Sequence, residues 1–282
     1  MSISQPQPST KERREAARVA AERLRDAQRL RSRRQRLFTI GAVVAALAVF
    51  AVLIAWIMAE GSRSDLETIA SPRGALASGA IPVGPEGVAG STEGAASDAV
   101  VVSVYADYMC PFCALFEELN GPVLDELREA GDVVVQYHPI SILDRTSQGT
   151  AFSTRAVAAV ALVADQAPDR FLEFNRLLFA NQPAEGTIGL TDGQIADLAR
   201  QAEVPEAVAG AIESGDYIGD QSAAGGTALE HTFVPWAAAA TEQASKDLGQ
   251  LATPTILLNG EQMTADWRQE GVLVQAIEDA AG

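Results

Sequence analysis

Cys110 and Cys113 are the only cysteines in a chain of 282 residues, and they stand three positions apart in Cys110-Pro111-Phe112-Cys113. A structural disulfide across so short a ring would remove little chain entropy. Sulfur exchange makes better use of the spacing. Ala99 to Tyr105, just before the motif, is strongly β-branched and reads as a buried strand. Leu115, Phe116, Leu119, Val123, Leu124 and Leu127 then recur at helical spacing behind it. The first sulfur therefore falls at a helix N-terminus, beside unpaired N–H groups and the positive end of the dipole. Such a field favours thiolate and lowers a thiol pKa from about 8.5 into the range of roughly 3.5–7. The thiolate attacks disulfides or departs from them, and Cys113, one turn on, can close the ring or resolve a mixed disulfide. Pro111 suits the first helical turn, where a missing N–H breaks no bond. Phe112 offers an apolar surface beside the sulfurs.

Competing chemistries fit less well. Zinc calls for four ligands, and only His138 and His231 could add nitrogens, neither at finger spacing. No metal and no further cofactor is expected. A Ser-His-Asp hydrolase would have to use one of those histidines, and no nucleophile-elbow sequence is present. His138 ends a strand-like run and reads as a packed structural histidine. His231, near Phe233 and Trp236, reads as part of a helical region or a substrate-facing edge.

The elements that must hold the motif are legible in outline. Ile81 to Val83 is a short first strand, followed by a glycine-rich loop over 84–97. After the helix behind the cysteines, which Gly121-Pro122 should kink or break, Val133 to Tyr137 is a second buried strand. Strand, helix and strand in this order imply a βαβ unit. The next hundred residues, about 147–248, are helical in pattern, with segments at 151–165, 169–181, 191–201, 205–214 and 235–247. Pro254 to Leu258 returns to strand character. Asn259-Gly260 is a type I′ hairpin signal, leading to a short strand near Gln262-Met263 and a closing helix over Trp267 to Ala280. The fold class is thus α/β, a split sheet carrying a helical insertion.

Charge and hydropathy set the topology. The net charge is −16. Residues 1–36 hold Lys11 and ten arginines against four acids, a net of +7, so the remainder carries −16 − 7 = −23. So acidic a body would repel phosphate backbones, which argues against a nucleic-acid partner. Leu37 to Met58 is uncharged over 22 residues, roughly 33 Å as a helix and enough to span a bilayer core. Arginines before it and Glu60 after it put the N-terminus in the cytoplasm and the rest outside. A cleaved signal peptide or a lipoprotein fits less well, since Ile57 occupies the third-last position of the candidate cleavage site and no cysteine follows the run. The expected organisation is a basic cytoplasmic leader over 1–36 that could lie on anionic membrane lipid, a single transmembrane helix over 37–58, a flexible linker over 59–78, and an extracytoplasmic domain over 79–282.

The stretch Asp107-Tyr108-Met109-Cys110-Pro111-Phe112-Cys113, with Leu251-Ala252-Thr253-Pro254-Thr255 far downstream, resembles the DsbA-like branch of the thioredoxin superfamily, most of all its membrane-anchored Gram-positive members. The resemblance covers roughly residues 75–282. It implies a thioredoxin fold with Pro254 as a cis-proline facing the cysteines. It also implies that Thr253 offers backbone hydrogen bonds to an extended substrate. The implied activity is thiol–disulfide exchange that introduces disulfides into exported, thiol-containing proteins. The implied redox partner is a membrane quinone-linked oxidase of the DsbB or vitamin K epoxide reductase type. A reductase or isomerase on the same fold, and a non-enzymatic chaperone or metal-binding module, remain alternatives.

Two departures qualify the resemblance. The family carries a buried acid six residues before the first cysteine, where this chain has Val104; Asp107, Glu117 and Glu118 are nearby, but none is assigned that role from sequence. Phe112 stands where the family's namesake has a histidine that favours the reduced form. A reduction potential between the thioredoxin and DsbA values, about −270 and −120 mV, is therefore expected.

Overall fold

A computed structural model describes residues 41, 44, 46–54, 66, 68–218 and 232–282. The leader, most of the expected anchor and His231 lie outside them. Residues 46–54 are helical. Among the described residues, no helix is long and apolar enough to cross a membrane.

The β-branched runs form the sheet. Its strands are β1 (Ile81–Val83), β2 (Val100–Ala106), β3 (Val133–Pro139), β4 (Thr255–Leu258) and β5 (Glu261–Gln262), in the order β1-β3-β2-β4-β5. β2 and β3 run parallel, with Val100 opposite Val133 and Ala106 opposite Pro139. They are joined by α1 (Pro111–Ala130) as the expected βαβ unit. β4 returns antiparallel to β2, pairing Tyr105 with Thr255 and Val104 with Ile256. Continuing that register by two residues sets Thr253 level with Asp107, beside the start of α1. The hairpin after β4 has Asn259 at φ 49° and Gly260 at φ 87°, the two positive values a type I′ turn requires. Asn259 also accepts from the Val101 N–H at 2.9 Å and donates to the Ala280 carbonyl at 3.1 Å, tying the turn to the sheet and the C-terminal helix.

The helical layer comprises α2 (Phe152–Gln166), α3 (Phe171–Ala180), α4 (Asp192–Gln201), α5 (Glu206–Glu213) and α6 (Val234–Leu248); α7 (Val272–Ala281) closes the chain. Alanines and valines of α2 are buried on every side, which makes it the centre of this layer. A smaller core between the sheet, α1 and α7 holds Val102, Val104, Phe116, Leu124, Ile256 and Leu273.

Three expectations need correction. Gly121-Pro122 does not interrupt α1, which continues to Ala130. Pro122 lies on the exposed face, where a carbonyl left without its helical donor is solvated. The opposite face remains buried through Phe116, Asn120, Leu124 and Arg128. The last helix starts at Val272 and not at Trp267, because Gly271 at φ 77° precedes it in a left-handed conformation. Finally, residues 68–78 are not free linker. Pro72 is buried, and Arg73 donates from its backbone and side chain to Asp165 Oδ1 at 3.0 and 3.2 Å.

Candidate active site

Cys110 is the N-cap residue of α1, with Pro111 in the first turn. Its thiol donates to the Thr253 carbonyl at 3.4 Å. Its own carbonyl accepts from the Cys113 and Ala114 N–H groups at 2.9 and 3.3 Å. Interaction with the Cys113 thiol, against the opposing effect of burial, and then the Thr253 side chain and the N–H groups of the first turn bring the Cys110 thiol down to about 6. Cys113 has the opposite fate: burial first, then Cys110, pushes its thiol well above the ordinary range. Both cysteines are free thiols.

The Thr253-Pro254 bond is cis. Thr253 and Pro254 are half-buried, Pro111 is exposed, and Phe112 is 53 % exposed despite its apolar ring. The structure thus brings Cys110, Cys113 and Thr253 together and leaves Pro111 and Phe112 on the adjoining surface. A thiolate beside an open apolar side chain and a short stretch of accessible backbone can exchange disulfides with an extended polypeptide.

Several supporting contacts had no sequence signal. Asp107 is fully buried. It accepts from the Met109 N–H at 2.8 Å, the Leu143 N–H at 2.9 Å and the Ser153 hydroxyl at 2.7 Å. Desolvation raises its carboxyl and those three bonds lower it, with a net upward shift. Tyr108 stacks on Phe179 with centroids 4.7 Å apart and donates to Asn175 Oδ1 at 2.7 Å. Gln182, just beyond α3, donates to the Cys110 carbonyl at 2.9 Å. Ser153, Asn175 and Gln182 sit 46 to 72 residues from the positions they hold, which is why no local pattern betrays them. His138 is buried and stacks on Tyr105 at 3.9 Å; desolvation takes its pKa down to about 3, as for a packed neutral imidazole.

A thioredoxin family profile matches residues 88–279. The chain belongs to that family. Among solved structures, DsbA from Mycobacterium tuberculosis is 28 % identical over 72 % of this chain and 93 % of its own, with a TM-score of 0.54. MdbA, a thiol-disulfide oxidoreductase from Corynebacterium diphtheriae, is 23 % identical with the same coverage and TM-score, a likeness of fold. A curated relative of a different kind is the serine/threonine-protein kinase PknE of Mycobacterium tuberculosis, 30 % identical over 122 residues. That match takes in 42 % of this chain but only 22 % of the kinase's length. The domain is a thiol–disulfide oxidoreductase of DsbA type.

Proposed function

We propose that the domain oxidises dithiols in exported proteins, with Cys110 as the sulfur that substrates attack and Cys113 as its resolving partner. The supporting observation is the depressed Cys110 thiol at the start of α1, facing the Thr253 carbonyl. A low pKa makes Cys110 a good leaving group from a mixed disulfide and stabilises the reduced enzyme, which is what an oxidant requires. In the forward turn a substrate thiolate attacks Cys110 Sγ of the Cys110–Cys113 disulfide, and Cys113 leaves with the electron pair. A second substrate thiolate then attacks the substrate sulfur of the mixed disulfide and releases Cys110 as thiolate. Thr253 and Pro254 hold the substrate strand, and Pro111 and Phe112 contact its side chains.

The same proposal includes an anchor over 37–58 with the leader in the cytoplasm, the domain outside, and reoxidation by a membrane quinone-linked oxidase. Its support is the charge asymmetry across the apolar run and the family's chemistry. With Phe112 beside the sulfurs, the potential falls between about −270 and −120 mV. Equilibration with glutathione buffers measures it, and a value outside that window refutes this part of the reading.

Replacing Cys113 with alanine tests the central step. The variant should accumulate mixed disulfides through Cys110 with exported proteins, seen as reducible adducts on a gel. The wild-type pair should be mostly oxidised in the cell. A variant that traps nothing would eliminate the redox role, and a mostly reduced pair would reverse the direction.

A further inference from the structure

Disulfide exchange at Cys110 requires Cys113 to gain and lose a proton, yet Cys113 is only 2 % exposed. A small cavity of about 10 Å³ adjoins it, walled by Val104, Tyr108, Cys113, Glu117, His138 and Asn175 among others. That is room for the centre of one water. Asn175 is 1 % exposed, and its amide is only half used. Tyr108 donates to Oδ1, and Nδ2 has no partner among the protein's groups. Whichever way the amide is turned, one of its polar atoms is left over, which calls for a polar occupant.

Glu117, one helical turn beyond Cys113, is the residue that joins this cavity to the outside. It also walls an open surface groove of about 440 Å³ with Ala114, Glu118, Pro122, Arg176 and Phe179. We propose that Glu117, through one water held in the cavity, exchanges the proton of the Cys113 thiol with solvent. This rests on the redox role of the cysteine pair and adds to it the proton path that Val104 cannot supply.

The other groups around the cavity are poorly suited. His138 on β3 is held neutral to about pH 3, and the Tyr108 and Tyr137 phenols are pushed well above their usual range. Glu117 faces Arg176 from α3 and Asp125 from its own helix. Arg176 is shared with Asp125 at 2.6 Å and Glu173 at 2.6 Å, so its pull on Glu117 is partial. Burial, opposed by Arg176 and reinforced by Asp125, raises the Glu117 carboxyl to about 7. It can therefore give and take a proton near neutrality.

In the oxidising turn the Cys110–Cys113 bond breaks, its electron pair leaves on Cys113 Sγ, and the Glu117 carboxyl supplies a proton through the water. In reoxidation the Cys110 thiolate first attacks a disulfide-class acceptor, forming a mixed disulfide and releasing one acceptor sulfur as thiolate. Cys113 Sγ then attacks Cys110 Sγ, the bonded acceptor sulfur leaves as thiolate with the electron pair, and the Cys113 proton returns through the water to the Glu117 carboxylate. The water passes on one proton and receives one.

The test uses the reduced full-length chain and dithiobis(nitrobenzoate), which releases two coloured thiolates. The first release reports attack by Cys110. The second reports attack by Cys113 on the mixed disulfide. Glu117→Gln should slow the second release about tenfold or more at pH 7 and remove an inflection near pH 7, while the first stays within about twofold. Glu117→Asp should restore part of the rate. Asn175→Leu, which fills the cavity, should slow the same step. An unchanged second release in Glu117→Gln, or equal slowing of both releases, overturns the proposal. A wild-type chain that releases no first thiolate defeats the redox reading itself, and the proton path with it.

Discussion

The two sulfurs lie one helical turn apart in the same motif and live in opposite surroundings. Cys110 and Cys113 are both nearly covered, at 5 % and 2 % exposed, but burial is the leading influence on Cys113 and only an opposing one on Cys110. Their partners differ as well. Cys110 meets the Cys113 thiol, the Thr253 side chain and the N–H groups that open α1, and its thiol falls to about 6. Cys113 faces a small cavity bounded partly by α3, and burial raises its thiol. A single turn of helix is enough to make one sulfur nucleophilic and the other a reserve, because burial dominates at Cys113, whereas at Cys110 the Cys113 thiol, Thr253 and the first-turn N–H groups outweigh it.

The largest expected effect exposes this contrast directly. At pH 7, iodoacetamide should alkylate Cys110 of the reduced chain at least about a hundredfold faster than Cys113, since only the thiolate reacts. The Cys110 rate should fall as pH drops through about 6. The same depressed pKa contributes stability to the reduced fold. That contribution is complete above the ordinary thiol value of about 8.5 and is lost as pH falls through about 6. Mass spectrometry of the two cysteine positions across pH 5–8 measures the rates. Equal rates at the two sulfurs would abolish the distinction.

The outward half of the site was legible because its causes are local. A β-branched run, two cysteines and a proline at a helix start lie within fifteen residues, and Thr253-Pro254 precedes a strand that is itself readable. The inward half was not. Asn175, Phe179 and Gln182 look like ordinary helical-layer residues, and only the packing of α3 against α1 turns them toward the motif. Glu117 was visible beside Cys113, but its raised carboxyl depends on burial under that same layer. The misread elements have a similar origin. Whether Gly121-Pro122 breaks a helix depends on which face meets solvent, and whether 68–78 is tether depends on Asp165, some ninety residues away.

Asp107 joins the two halves, and its removal should have the next largest effect. Its carboxylate satisfies the Met109 N–H next to Cys110, the Leu143 N–H beyond β3, and the Ser153 hydroxyl on α2. Asp107→Ala leaves two buried donors and one half-buried donor without that acceptor, which should cost about 2–4 kcal/mol. Denaturant unfolding of the reduced chain measures it. A loss below about 1 kcal/mol would mean that Tyr108, through Phe179 and Asn175, holds the loop without help, and the two halves would then be tied only from the inward side.

The smallest effect concerns a side chain that reaches from the helical layer to the outward sulfur's own backbone. Gln182 donates to the Cys110 carbonyl at 2.9 Å, but that oxygen also accepts from the Cys113 and Ala114 N–H groups. Gln182→Ala therefore removes a bond without stranding the acceptor, and should cost no more than about 1 kcal/mol. For a domain of this size that lowers the melting temperature by about 2–4 °C. The alkylation profile of Cys110 should not move, because the Cys113 thiol, Thr253 and the start of α1 set its thiol while Gln182 touches only its carbonyl. If the profile does shift, the helical layer tunes the outward sulfur as well as the inward one. The division between a Cys110 set by its own motif and Thr253 and a Cys113 set first by burial would then have to be redrawn around α3.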